Sequence, residues 1–347
     1  MLERLALPIV QAPMAGGPST PALAAAVSRA GALGFLAAGY RPAGDLRDGL
    51  REARELGARA LGVNVFAAPG PPAPIDAVTR YVEAIADDLR RARTDAGTPH
   101  SDDDDLEAKL EVARAERADV VSFTFGCPDS EVIAALQRDG CAVWITVTTA
   151  ADARTAAAAG ADALVVQGLE AGGHRGSFAD EDGRDEPGVL ALLQLVRAAV
   201  DVPLVATGGI ATGGAIAAVL SAGARAAQLG TAFLRCPEAA TSAPHRAAVA
   251  SDTPTALTRA FTGRLARGIE NRFLREHSAQ APRAYPEVHH VTAPLRAHGR
   301  SVGDGEVLNL WAGQAHALAR EAPAEQLVRE LAAEARRALD DARSLLG

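Results

Sequence analysis

The sequence reads as an α/β protein of the (β/α)8 TIM-barrel class, with a smaller, mostly helical or irregular segment inserted after the eighth strand. Three observations predict it. Over the first 235 residues, short β-branched runs alternate with Ala-rich amphipathic stretches. Strands alternating with helices pair in parallel through right-handed crossovers, and eight such units suggest closure. The phrases Ala30-Gly31-Ala32, Ala159-Gly160-Ala161 and Ala222-Gly223-Ala224 each fall between a helix and the next strand, where glycine ends a helix in the left-handed conformation. Finally, the chain has 347 residues, and a barrel takes about 250, which leaves roughly 100 for an insertion and a tail.

The elements follow in order. Strands are predicted at 9–12, 33–36, 61–66, 120–125, 142–147, 163–167, 203–206 and 226–230. Helices are predicted at 20–30, with Ser19 or Thr20 as cap, and at 44–56, 130–138, 151–159 and 214–222. A proline-rich loop at 69–74 leads to a long helical stretch broken near Thr98-Pro99. From about 237 to 309 the alternation stops and the composition turns polar and irregular, as expected of a lid over the barrel mouth. Residues 311–320 and 324–346 then read as helices, the second packing on the barrel exterior. The expected organisation is a barrel at 1–236, a lid at 237–310 and C-terminal helices at 311–347.

Composition narrows the function classes. Net charge is −8 with no basic stripe, which argues against nucleic acid as a partner. Cys127, Cys141 and Cys236 form no C-x-x-C pair, and a sparse, odd set suits a reducing compartment. No apolar run reaches membrane-spanning length and the first residues lack a signal-peptide core, so a cytoplasmic protein away from membranes is expected. The run Asp102 to Asp105 reads as a solvated loop before a helix, and the histidines of the insertion, His289, His290 and His298, show no metal-ligand spacing. No metal is expected.

Active sites of this fold lie in the loops after the strands' C-terminal ends. Those loops carry Ala12-Pro13-Met14, Asn64, the run Gln167 to Gly176, Gly208-Gly209 and Gln228-Leu229-Gly230-Thr231. Glycines after strands seven and eight make tight turns, or let backbone N–H groups approach a phosphate; finding both at matching ends favours the phosphate. Asn64, Gln167 and Gln228 are amides at otherwise apolar strand ends, where an unpaired amide is costly. They bond either to neighbouring backbone or to a planar ring of alternating donors and acceptors. His174 sits among glycines, free of helix packing and able to point into the mouth as a general base.

Taken with Val121 to Gly126, Phe261-Thr262-Gly263-Arg264, Asn271-Arg272-Phe273 and Trp311-Ala312-Gly313-Gln314, these phrases resemble the nitronate monooxygenases, formerly 2-nitropropane dioxygenases, of the class I-like kind. The Glu170-Ala171-Gly172-Gly173-His174 phrase is the strongest part. The resemblance implies non-covalent FMN. Its isoalloxazine would contact Ala12, Pro13, Met14, Asn64 and Gln167. Gly172, Gly209 and the run Gln228, Leu229, Gly230 and Thr231 would hold the rest, chiefly the phosphate, with Gly208 in the same loop. His174 would be the catalytic histidine, acting on a nitronate or nitroalkane with O2. The lid is poor in aromatics, with Tyr285 its one tyrosine. Arg175, Arg264, Arg267 and Arg272 are candidates for attracting an anionic substrate, or else are structural. Two other functions share the predicted site: an FMN-dependent NAD(P)H reductase such as an enoyl-thioester reductase, and a flavin-binding protein without turnover. No G-x-G-x-x-G follows a strand, so no separate dinucleotide fold is expected.

Overall fold

The computed structural model describes residues 1–67, 70, 72–181 and 186–345. Part of the proline-rich loop expected at 69–74, namely Pro69 and Pro71, and residue 346 of the final helix lie outside the described residues.

Eight parallel strands form the barrel: β1 (Ile9–Gln11), β2 (Gly34–Ala37), β3 (Leu61–Phe66), β4 (Val120–Thr124), β5 (Ala142–Val147), β6 (Ala163–Gln167), β8 (Leu204–Thr207) and β9 (Ala226–Leu229). Their order is β1-β9-β8-β6-β5-β4-β3-β2. The seam between β1 and β2 closes through a parallel bridge at Val10 and Leu33, and Gln11 N–H donates to the Leu33 carbonyl at 2.9 Å. A three-stranded antiparallel sheet joins β10 (Thr255–Thr258), β11 (Ala266–Ile269) and β7, the two residues Gly173–His174.

Helices α1 (Pro21–Arg29), α2 (Ala43–Glu55), α5 (Leu106–Ala115), α6 (Ser130–Arg138), α7 (Ala150–Ala159), α8 (Val189–Ala199) and α9 (Gly213–Ser221) surround the barrel. Thr20 caps α1 by accepting from Leu23 N–H. No sequence feature singled out α8; it is capped by Glu170, whose carboxylate accepts from Val189 N–H. Gly34 is fixed by packing, since a Cβ there would lie 2.2 Å from the Ala24 carbonyl of α1.

The barrel lumen explains where chemistry begins. Val10, Leu33, Phe35, Val120, Trp144, Val165, Val205 and Ala226 fill its lower tiers as one buried cluster. Side chains of a strand repeat their direction every two residues. Two positions further along β4, β5, β6, β8 and β9 stand Ser122, Thr146, Gln167, Thr207 and Gln228. The lumen thus changes from hydrocarbon to hydroxyl and amide within one step, at the end where the cavity opens.

The insertion is more ordered than its composition suggests. It contains α10 (Ala243–Val249), β10, β11, α11 (Arg272–His277) and α12 (Glu287–Val302). Phe261, Phe273, Val288, Val291 and Leu295 pack with Val78, Tyr81, Ile85 and Leu89. Val78 and Tyr81 come from α3 (Ile75–Ala84), Leu89 from α4 (Ala86–Ala92) and Ile85 from the single residue between them, a stretch placed with the barrel by the sequence. In place of the helix expected at 311–320 there is a single 3-10 turn, His316–Leu318. Trp311 bridges to Gly268, its carbonyl accepts from His245 Nε2 at 2.9 Å, and His316 binds the Val249 and Thr253 carbonyls. These tertiary bonds outweigh local helical preference. Helix α13 (Ala324–Leu345) follows as expected and packs on α9 and α1.

Candidate active site

A cavity of about 460 Å³ opens at the C-terminal end of the barrel, between strand ends and lid. Of the residues singled out by sequence, Ala12, Pro13, Met14, Asn64, Gln167, Gly172, His174, Gly208, Gly209, Gln228, Gly230 and Thr231 line it. Leu229 does not: its side chain joins the core outside the lumen, and its carbonyl receives Ala12 N–H at 2.8 Å.

The glycines form one side. Gly208 and Gly209 have φ of 116° and 68°, a region nearly closed to other residues. A Cβ on Gly209 would lie 2.9 Å from the Glu170 Cβ. Among the described residues, the N–H groups of Gly209, Gly230 and Thr231 have no protein acceptor. Gly172 is required for another reason: its Cβ would meet the Ala312 and Gly313 backbone at 2.4 Å. Gly313 N–H donates to Thr231 Oγ1 at 3.0 Å, so residues 311–313 back the loops of both β6 and β9.

The three amides do different things. Asn64 donates its Nδ2 to Ser122 and Thr124, which leaves its Oδ1 for the cavity. Gln167 is consumed by the protein: Nε2 donates to the His174 carbonyl at 3.0 Å, and Oε1 accepts from Arg175 and from Gly176 N–H. It anchors the histidine segment. Gln228 Oε1 is buried with no partner among the described residues. A buried orphan acceptor is costly, and a ligand N–H facing the strand ends relieves it. This orphan oxygen, the free amides of the glycine loops and the aromatic wall described below together suit a flat heteroaromatic group bearing one phosphate.

His174 is held in a strand rather than a free loop. It pairs with Ala266 of β11, and its Nε2 lies 2.8 Å from the buried Thr262 Oγ1. Its ring meets Phe125, Tyr285 and Trp311 edge-on or tilted, at 5.7, 5.8 and 5.5 Å between centroids. Burial first, then Arg264 and Arg296, push its pKa down to about 3. The imidazole is therefore neutral at ordinary pH.

The aromatic wall is richer than the lid sequence suggests, because the barrel loops supply most of it. Tyr40, after β2, stacks on His289 at 3.9 Å, and its hydroxyl lies 3.0 Å from that of Tyr285. Phe66 and Phe125 continue the wall. Phe125 has φ of 78°, an uncommon state for a bulky residue and a sign of local constraint.

The four arginines proposed from sequence are engaged elsewhere. Arg175 binds Glu186, Gln167 and Gly168; Arg267 binds Leu169 and Thr255; Arg272 binds Asp88 and Glu276. Arg264 binds the Arg175 and Ser177 carbonyls and lies 4.1 Å over the Phe125 ring. The cations lining the cavity are Arg296 and Arg300 of α12. Arg296 is 5% exposed and donates to Thr292 and His289, and no carboxylate among the described residues pairs with it. A polar helix face gave no signal separating them from solvated surface. Thr207, at the strand-seven end that the fold rule points to, also lines the cavity; Thr124 and Thr146 were missed, although counting two residues past the buried lumen positions finds Thr146.

Comparison with known proteins fits this geometry. The family model for nitronate monooxygenase matches residues 1–334. The chain belongs to the nitronate monooxygenase family. A nitronate monooxygenase of Pseudomonas aeruginosa is 42% identical, over 95% of this chain and 96% of its own. A solved nitroalkane oxidase from Streptomyces ansochromogenes is 50% identical with a TM-score of 0.95, covering 99% of both chains. FabK from Thermotoga maritima is 26% identical with a TM-score of 0.78, covering 99% of this chain and 97% of that one. Members of the nitronate monooxygenase family are flavin-dependent oxidoreductases acting on small nitronates with oxygen. Among the described residues, no helix is long and apolar enough to cross a membrane.

Proposed function

We propose that this enzyme binds FMN without a covalent link and oxidises alkyl nitronates with O2 to carbonyl compounds and nitrite. The observation that carries the reading is Arg296, a buried guanidinium without a carboxylate partner, in the same cavity as a neutral histidine. A buried cation calls for an anion, and a nitronate is one.

The residues fit the cofactor. Gly208, Gly209, Gly230 and Thr231 would hold its phosphate by backbone N–H groups, and Gln228 Oε1 and Asn64 Oδ1 would accept from the ring. When bound, the flavin supplies the electron transfer; the protein supplies position, proton handling and electrostatics. Tyr40, Tyr285 and Trp311 exclude water from the face beside His174. Arg296 draws the anion and holds it there.

A histidine with pKa of about 3 is no standing imidazolium, so anion attraction falls to arginine. Neutral, it has a lone pair that can take a proton, the role that oxidation of a neutral nitroalkane requires, although the burial and arginines that keep it neutral also make it a weak base. The likeness to a nitroalkane oxidase favours that second substrate class for the same site.

The test is direct. Denatured protein should release FMN, and native protein should form nitrite from a nitronate in air with no NAD(P)H present. Rapid flavin reduction by NADH, with no nitrite from any nitronate, would replace this reading with the reductase.

A further inference from the structure

Away from the reaction cavity, residues 93–105 between α4 and α5 lie against the lid helix α12. The approach is close: Gly97 N–H donates to the Val291 carbonyl at 3.0 Å, and a Cβ on Gly97 would lie 2.1 Å from the His290 carbonyl oxygen. Just beyond, three side chains converge. His100 Nε2 lies 3.1 Å and His290 Nε2 2.9 Å from the same oxygen, Asp102 Oδ2. The two imidazoles stack with centroids 3.7 Å apart.

The ligand atoms of His100, Asp102 and His290 all lie within 4.8 Å of one another, which makes this more than a hydrogen-bonded pair. His100 Nδ1 is 3.0 Å from the Thr98 carbonyl. A carbonyl only accepts, so Nδ1 carries the hydrogen. In the tautomer that this bond selects, Nε2 is the nitrogen left with a lone pair, and it stands 3.1 Å from Asp102 Oδ2. A proton or a metal ion between that lone pair and the carboxylate oxygen removes their repulsion. Asp102 is oriented toward the two rings by its Oδ1, which accepts from Asp104 N–H at 3.0 Å. A histidine whose second nitrogen donates to a backbone carbonyl is also the usual arrangement of a metal-ligating histidine.

We propose that His100 Nε2, His290 Nε2 and Asp102 Oδ2 form a binding site for a divalent transition metal of the zinc type. Two imidazoles and one carboxylate suit zinc or cobalt rather than calcium or magnesium. Bonds of about 2.0–2.2 Å at tetrahedral angles separate ligand atoms by about 3.3 Å. The two nitrogen-to-oxygen separations need a few tenths of an ångström of opening, and the stacked rings must turn apart for both lone pairs to meet one ion, on side chains 55%, 39% and 23% exposed. That exposure leaves a fourth position for water. The ion would clamp residues 93–105 to α12, whose His289, next to the ligand His290, stands in the cavity wall. Among the described residues one other histidine–carboxylate group, Asp88, Glu276 and His277, already has Arg272 as its cation.

The experiment uses tag-free, flavin-loaded protein stripped with a chelator, titrated with Co2+ by visible absorption and with Zn2+ by calorimetry. Wild type should take up one equivalent of either ion. His100→Ala and His290→Ala should each bind at least tenfold more weakly while retaining flavin, since none of the three ligands lines the reaction cavity. Zinc should raise the melting temperature of wild type and leave that of both variants unchanged. Uptake equal in wild type and variants would mean scattered surface binding and would overturn the site. So would no uptake at all, in which case a proton on His100 supplies the cation instead.

Discussion

Replacing Arg296 with methionine separates the cost of a buried charge from its use. Burial first, then Arg300, lower the guanidinium pKa from 12.5 to about 10. At 1.36 kcal/mol per unit, that is roughly 3 kcal/mol against the charged form. The sign is unfavourable for folding wherever the group is charged in both states, which covers all pH below about 10. Against it stand the bonds to Thr292 Oγ1, the His289 carbonyl and His289 Nδ1, at about 1 kcal/mol each. The two sides nearly cancel. Arg296→Met should therefore change stability by no more than about 1 kcal/mol, whereas breaking a buried ion pair costs about 3–5 kcal/mol. Function should not be spared. A charge-assisted contact to an anion is worth about 1.5–3 kcal/mol, or roughly 10- to 150-fold in kcat/KM. Urea melts and steady-state nitrite release with a nitronate read the two effects, with a neutral nitroalkane as the less affected control. A variant that loses more than about 3 kcal/mol yet keeps its kcat/KM for nitronate would refute the argument.

Three further outcomes are expected. Gly209→Asp should abolish flavin binding, since its Cβ would crowd Glu170 in a left-handed backbone and its carboxylate would face the phosphate; a normal flavin spectrum in that variant would remove the phosphate assignment. His174→Asn should keep its flavin and lose turnover of neutral nitroalkanes by about 10²–10⁴-fold, with a smaller loss on preformed nitronate; equal losses would assign His174 to positioning. Stability should fall on acidification. His174 and His245 have pKa values pushed down to about 3 and about 4, and His289 is lowered as well. Unfolded histidine titrates near 6.5, so below that pH the unfolded chain binds protons that the native one does not, down to the folded values. Each histidine should remove about 1 kcal/mol per pH unit, and equal unfolding free energies at pH 7.5 and pH 5.5 would contradict their burial.

The barrel was legible because its signal is local. Runs such as Leu61–Phe66 and Ala142–Val147 are too apolar and too β-branched to be anything but buried strands, and both have the expected bounds. The glycine loops and His174 were legible for a related reason: the fold rule says where strand ends point. What stayed hidden depends on partners distant in sequence. His174 forms a strand only because β11, some ninety residues later, supplies an edge. Trp311 loses its helix to bonds with Gly268 and His245. Tyr40 joins the aromatic wall because Asp104 accepts its backbone N–H, at a φ of 64°. Arg296 differs from any surface arginine only in what packs around it.

The backing of the loops proposed to hold the phosphate has a consequence for how the enzyme comes into being. Gly313 supports Thr231, Gln314 N–H reaches the Glu170 carbonyl, and Glu334 of α13 accepts from Gly213 N–H at the start of α9. All three supports come from beyond residue 312, after every barrel strand has been made. During synthesis the eight strands can pair while the loops meant for the cofactor still lack their props. Contacts between segments this far apart carry a large loop-closure cost and form late. Flavin capture should therefore be among the last events of maturation, and a ribosome-stalled chain lacking the final helix should be compact before it is yellow.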